Sequence, residues 1–370
     1  LAIFMSGVGT LLFYFITGGR VPSYLGSSFA FIGVVIAATG YAGQGPNPNI
    51  AVALGAIIVC GLLYALIGAL VNAVGTRWIE RLMPPVVTGA VVAVIGLNLA
   101  AIPVKNMAAS NFDSWMQLVT FVSVALVAVF ARGMVQRLLI LVGLAIASVI
   151  YVLLANGLGL GKPMDFSGIA SAAWVGLPRF TAPVFEGNAM LLIAPVALIL
   201  VAENLGHLKA VAAMTGRNLD PYIGRAFTAD GVATMISGAA GGTGVTTYAE
   251  NIGVMAATRI YSTAVFVVAA LMALALGFSP KFGALIQAIP LPVMGGVSIV
   301  VFGLITIAGA RIWVENKVDF GDPANLLTAA ITLILGTGDF TLKFGSFALG
   351  GIGTATFGAV LLHALLRRRA

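Results

Sequence analysis

Apolar runs separated by short, turn-rich breaks extend along almost the whole chain, and no other feature restricts the fold as much. Thirteen candidate spans can be set off, near 1–17, 29–39, 50–74, 84–103, 115–131, 138–155, 189–213, 226–239, 249–258, 260–278, 289–310, 324–337 and 346–366. A helix needs about 20 apolar residues to cross the hydrocarbon core of a bilayer, and most of these segments approach or exceed that length. Only 8% of the residues are charged, about a third of the ~25% usual in soluble proteins. This excludes a soluble enzyme with an anchor, and the chain reads as an all-α polytopic membrane protein.

The few charges then serve as a topology code. Lys and Arg outnumber Asp and Glu by 19 to 12, an excess that in a soluble protein would suggest nucleic acid. If all thirteen segments cross, one side collects Arg20, Arg77, Arg81, Arg132, Arg137, Lys209, Arg217, Arg225, Arg259, Arg311, Lys317 and Arg367 to Arg369. The other collects Lys105, Lys162, Arg179, Lys281 and Lys343. Cytoplasmic loops carry the basic excess, so the C-terminus is expected in the cytoplasm, with the chain in a bacterial-type inner membrane and no nucleic-acid partner. Cys60 is the single cysteine, which rules out an intramolecular disulfide and a thiolate-ligated metal. The chain begins at Leu1 inside an apolar run, and one span before it is expected to be missing.

Two segments, 29–39 and 249–258, are about half the usual length. Each follows a small-residue, extended stretch, Val21-Pro-Ser-Tyr-Leu-Gly-Ser-Ser28 and Gly241-Gly-Thr-Gly-Val-Thr-Thr-Tyr248. Non-helical backbone at membrane depth persists only where protein or a water-filled cavity surrounds it, and such broken helices point to a transporter binding site. Both are expected to be half-helices preceded by short β-strands. Internal echoes support two repeats. Pro85 to Leu97 matches Pro292 to Leu304 at an offset of 207, while Ile16-Thr-Gly18 and Ile32-Gly-Val34 match Ile236-Ser-Gly238 and Ile252-Gly-Val254 at an offset of 220. The half-helices are seven segments apart, an odd step, so the repeats are expected to be inverted.

Ionisable groups inside the membrane are costly and default to functional candidates. Glu203 and His207 lie in Ala202-Glu-Asn-Leu-Gly-His207 at i, i+4, on one helical face. Glu250 starts the second half-helix, where free N–H groups favour a carboxylate. Asp230 is expected to be a helix-start or loop contact, and His363 an interfacial residue. An intramembrane hydrolase using Ser27 or Ser28 with His207 is the enzyme alternative, but no orienting acid and no nucleophile motif beyond Gly-Ser accompany it. Metal catalysis is poorer still, with one central histidine. An anion carrier built on the two half-helix N-termini is opposed by Glu250, whose charge suits a neutral or cationic ligand that donates hydrogen bonds.

Glu250-Asn-Ile-Gly-Val-Met-Ala-Ala-Thr-Arg259, Ala202-Glu-Asn-Leu-Gly-His207 and Tyr24-Leu-Gly-Ser-Ser-Phe-Ala-Phe31 together resemble, in order and spacing, the motifs of the nucleobase–ascorbate transporters, also called nucleobase cation symporter family 2. Within that family the chain looks most similar to the uracil permease branch and the pyrimidine permeases of the Rut pathway. The resemblance implies two inverted sevens of segments divided into core and gate: core over 1–83 and 189–282, gate over 84–188 and 283–370. It implies a proton-coupled symporter importing uracil or a related pyrimidine by alternating access, with no cofactor beyond the coupling proton and a homodimer through gate helices. A purine or xanthine symporter of the same family is the alternative.

Carried over by position, Phe29 would stack on the base and Glu203 and Glu250 would accept its N–H groups. Backbone groups of Ala249 and Phe29 would complete the ring, with Tyr248 and His207 assisting and Glu203 with His207 coupling the proton. Two departures stand out. The family's first span, with its histidine, is absent, and Ala249 stands where uracil permeases often have Gly.

Overall fold

The computed structural model describes residues 1–41, 47–344 and 347–367. Helices form over all thirteen apolar segments. They are α1 (Ala2–Ile16), α2 (Ala30–Thr39), α3 (Ile50–Val74), α4 (Arg77–Leu82), α5 (Pro85–Leu99), α6 (Asn111–Phe130), α7 (Met134–Arg137), α8 (Leu139–Val152) and α9 (Ser167–Ser171). There follow α10 (Gly187–Ile193), α11 (Val196–Thr215), α12 (Ile223–Ala240), α13 (Ala249–Thr258), α14 (Thr263–Gly277), α15 (Pro280–Gln287), α16 (Leu291–Glu315), α17 (Pro323–Thr337) and α18 (Gly351–Arg367). Four strands of three residues complete the list: β1 (Leu25–Ser27), β2 (Val245–Thr247), β3 (Leu342–Phe344) and β4 (Phe347–Leu349). Six helical stretches among the described residues are long and apolar enough to cross a membrane.

Contacts divide the chain into two compact units. The first holds Leu1–Asn98, Pro178–Phe278 and Ile307–Ala370; the second holds Leu99–Leu177 and Ser279–Thr306. In the second unit α6 packs on α8 around the buried side chains of Met116, Ala147, Tyr151 and Val293. Helix α6 starts cleanly because Ser110 and Asp113 form a reciprocal capping box, which satisfies two donors that the first turn leaves open. Polar side chains close onto nearby carbonyls: Gln117 Nε2 donates to Pro103 O at 2.7 Å and Tyr151 OH to Lys162 O at 2.7 Å.

In the first unit the closest helix pair is α3 with α12, and glycine allows it. A Cβ on Gly231 would lie 2.4 Å from Ala65 N and 2.6 Å from Gly61 O, and one on Gly68 would lie 2.4 Å from Thr228 N. Lipid tails are as apolar as side chains, so helix association in a bilayer depends on such close backbone approach. Helix α1 packs in the same manner on α14, where a Cβ on Gly7 would meet Ala270 O at 2.7 Å.

The two half-helices are joined through their strands. β1 and β2 pair antiparallel, with Leu25 opposite Thr247, Gly26 opposite Thr246 and Ser27 opposite Val245. The flanking bonds mirror each other: Ser28 N–H donates to Gly244 O at 2.9 Å and Tyr248 N–H to Tyr24 O at 3.2 Å. So do two threonine clamps. Thr10 Oγ1 accepts Leu25 N–H at 2.9 Å and lies 3.4 Å from Leu25 O; Thr234 Oγ1 accepts Val245 N–H at 3.1 Å and donates to Val245 O at 3.0 Å. The strands therefore correspond at the expected offset of 220. The preceding helices do not: Thr10 and Thr234 set their equivalence at 224, one helical turn away from the Ile16/Ile236 echo. The loop from α1 to β1 is longer than that from α12 to β2, and the triplet echo matched residues across that difference.

A further expectation is corrected. Asp230 is neither a helix start nor a loop contact; it lies two turns inside α12 and is fully buried. The helix begins earlier than hydropathy suggests, at Ile223 after the Asp220-Pro-Tyr222 turn, because Arg225 and Thr228 hide its first turn. His363 on α18 is buried, 5% exposed, where α18 packs along α17.

Candidate functional site

Helix α11 is the axis of the site. It packs against α2, α3, α12, α13 and β2, so polar residues on it can reach both half-helices. Its Ala202-Glu-Asn-Leu-Gly-His207 run places Asn204 one turn from His207, and Asn204 is fully buried. A buried polar side chain needs partners, and Asn204 uses all its hydrogens. Asn204 Nδ2 donates to Asp230 Oδ2 at 2.6 Å and to Tyr64 OH at 2.8 Å, and Asn204 Oδ1 accepts from Thr247 Oγ1 at 3.1 Å. Tyr64 passes its own hydrogen to Leu200 O at 3.3 Å, and its ring lies 5.6 Å from that of Phe227. Thr246 Oγ1 reaches Asp230 Oδ2 at 3.5 Å. His207 Nδ1 lies 3.0 Å from Thr247 Oγ1. One continuous network thus ties α3, α11 and α12 to the second strand.

The candidates read from the sequence are placed as follows. Glu203 and His207 share α11 and are both half-buried. Phe29 immediately precedes α2 and is half-buried. Tyr248 stands at the start of α13; its hydroxyl donates to Ser27 O at 2.9 Å, and its ring covers Gly26, where a Cβ would lie 2.2 Å from the ring. Only glycine fits under that ring. Ala249 and Glu250 open α13, but their side chains lie outside the described residues.

Ser28 does not pair with His207. Its hydroxyl oxygen accepts Ala30 N–H at 3.2 Å at the start of α2, the His207 ring meets Thr247 instead, and no bond from Ser27 or Ser28 to His207 of the kind a hydrolase uses occurs among the described residues. Lys209, six residues beyond Glu203 on α11, is held by Glu80 at 3.1 Å and Asp220 at 2.8 Å. No group of three His, Cys, Asp or Glu able to hold a metal occurs among the described residues.

Four network members, Asn204, Tyr64, Thr246 and Thr247, went unread in the sequence. Asn204 carried a weak signal, a polar residue three positions before His207 in an apolar helix. Tyr64, Thr246 and Thr247 carried none, because an aromatic in a membrane helix and a hydroxyl in a Thr-Thr pair are ordinary there.

Comparison with known proteins agrees with this architecture. The profile of the Permease family (Xan_ur_permease) matches residues 1–344. The "Putative pyrimidine permease RutG" of Escherichia coli (strain K12) is 69% identical over 369 residues, covering 100% of this chain and 84% of that protein. A "Uracil permease" of Paenibacillus larvae subsp. larvae is 41% identical, covering 98% of this chain and 86% of the relative. Among solved structures, the murine Slc26a9 anion transporter in its inward-facing state is similar with a TM-score of 0.70 at 12% identity, covering 99% of this chain and 63% of that one. The transmembrane domain of the cyanobacterial bicarbonate transporter BicA gives 0.62 at 16% identity, covering 91% and 96%. At such low identity the last two speak for the fold alone. A helical membrane chain with two strand-linked half-helices, matched along nearly its whole length by this profile and these relatives, belongs to the Permease family and is a transporter, not an enzyme.

Proposed function

We propose that the chain is a proton-coupled symporter that carries uracil or a related pyrimidine base inward across the cytoplasmic membrane by alternating access. The observation that supports it best is the placement of Glu203 and His207 on a helix that packs against both half-helices and β2, in a chain 69% identical to a relative named as a pyrimidine permease. Uracil is planar and neutral, with two N–H donors and two carbonyl acceptors. In this reading Phe29 stacks on it, Glu203 and Glu250 accept its N–H groups, backbone groups at Phe29 and Ala249 meet its carbonyls, and Tyr248 shapes the rim. Each hydrogen bond left unmade would cost the buried partner about 1–3 kcal/mol.

Glu203, with His207 one turn away, takes up the proton on one side and releases it on the other, so that the loaded core crosses the membrane with less charge. The substrate adds stability to the movable state. The mirrored strand bonds and threonine clamps support halves related by an inverted repeat, the arrangement of rocking transporters. We further propose a core that carries the base, a gate through which two copies pair, and a cytoplasmic C-terminus.

Uptake of labelled uracil, competed by thymine and xanthine with and without a proton uncoupler, tests the reading. Uptake that is displaced by xanthine and not by thymine points to the purine alternative. Glu203→Gln should abolish accumulation against a gradient, and retained concentrative uptake refutes its coupling role. Glu250→Gln should abolish uracil binding; unchanged affinity removes it from the site. A reporter fused after Lys162 should read as external.

A further inference from the structure

The direction of each hydrogen bond in the buried network determines which ring nitrogen of His207 carries its hydrogen. Asn204 turns its amide nitrogen, a donor, toward Asp230 Oδ2 at 2.6 Å. Both amide hydrogens are then committed, one to Asp230 and one to Tyr64 OH. The amide oxygen faces Thr247 and must accept. Thr247 has one hydroxyl hydrogen, and it goes to Asn204 Oδ1 at 3.1 Å. Toward His207 Nδ1, 3.0 Å away, Thr247 can offer only a lone pair. Nδ1 therefore holds the hydrogen, and in the neutral ring Nε2 is left as an acceptor.

We infer that Asn204, oriented by Asp230, and Thr247 are positioning residues that fix His207 in the Nδ1–H tautomer and so make its Nε2 read a hydrogen-bond donor. The inference rests on the pyrimidine symporter reading for the identity of that donor: a ring N–H of the base or a water bridging to it. A carbonyl oxygen offered to Nε2 meets a lone pair and is repelled, so the network biases the site toward one orientation of a molecule whose N–H and C=O groups alternate. Neutral imidazole on its own can carry its hydrogen on either nitrogen. The charged and titratable groups on the elements packed against α11 include Glu203 on the same helix, Asp230 on α12, Tyr64 on α3 and Glu250 on α13, and Asp230 and Tyr64 are linked to His207 by hydrogen bonds through Asn204 and Thr247.

These 370 residues hold two histidines, so this chain, labelled with 15N-histidine and held in lipid nanodiscs, gives four ring-nitrogen signals from them. His363→Asn and His207→Gln each suffice to assign them. The expected spectrum of the neutral form shows His207 with Nδ1 protonated and Nε2 unprotonated. Thr247→Val, which keeps the shape and the backbone contact to the ring and removes the hydroxyl, should weaken that preference, and Thr247→Ser should restore it. Uracil affinity should fall about tenfold in Thr247→Val, the weight of one hydrogen bond, and recover in Thr247→Ser. A wild-type His207 protonated on Nε2, an even mixture of tautomers, or an Nδ1–H form undiminished in Thr247→Val overturns the inference. The wild-type spectrum decides even if the valine variant does not fold. Failure of the wild type to bind uracil with the expected spectrum intact would strike the functional reading and leave the tautomer assignment standing.

Discussion

Replacing Gly231 by Ala isolates what close backbone approach contributes to this fold. The new methyl would lie 2.4 Å from Ala65 N and 2.6 Å from Gly61 O, whereas an ordinary contact begins near 3.4 Å. Both obstacles are backbone, so no rotamer can relieve the clash and α3 must retreat from α12 by about 1 Å. A gap of that size forfeits a quarter to a half of the dispersion energy of the lining atoms, and overpacking generally costs about 1–3 kcal/mol. With rigid partners on both sides we expect the upper end, about 3 kcal/mol, or roughly a hundredfold in the folded-to-unfolded ratio. Gly303 in α16 is the control: no atom lies within 4 Å of its Cβ position, and Ala there should add about 0.5–1 kcal/mol by stiffening the helix. Thermal inactivation of the detergent-solubilised protein, followed by size-exclusion chromatography, reads both. If Gly231→Ala survives heating as well as Gly303→Ala, the glycine-mediated α3–α12 contact does not support the fold as argued.

Other substitutions probe the strands, the network and one surface turn. Thr10→Val and Thr234→Val each remove a clamp on the first residue of a strand, and each should cost about 1–3 kcal/mol; similar melting losses for the pair would agree with their mirrored geometry, and a loss confined to one would contradict it. Tyr64→Phe removes the hydroxyl between Asn204 and Leu200 O, strands one amide hydrogen in a fully buried site, and should lower thermal stability by about 1–3 kcal/mol with little change in ring packing. At Asp165, in the loop between α8 and α9, bonds from Ser167 N–H and hydroxyl hold the carboxyl below the usual range. Its small stabilising effect is present above the unfolded value and lost as pH falls through the folded one. In Ser167→Ala the Asp165 carboxyl should titrate higher by NMR, and an unmoved titration would refute the assigned cause.

The apolar pattern was sufficient to place a helix in each of the thirteen segments, because the bilayer's thickness acts on each segment separately and leaves its length in the local sequence. Half-helices 29–39 and 249–258, the strands before them, and the shared face of Glu203 and His207 were legible for the same reason: periodicity and broken apolar runs are local. The partners of buried polar groups were not. Asp230 looked like a helix start because Arg225 and Thr228 interrupt the apolar run, yet α12 carries it to the centre of the first unit. Asn204 finds Asp230 26 positions along the chain, Thr247 43 and Tyr64 140. Hydrophobicity says only that a residue is out of water. Which neighbour satisfies it depends on which helix the glycine contacts bring near and on the register of β1 with β2. The sequence by itself determined a membrane transporter with two broken helices, and the tertiary structure decided how their polar residues are wired together, because hydrogen bonds are directional and short-ranged whereas burial is neither.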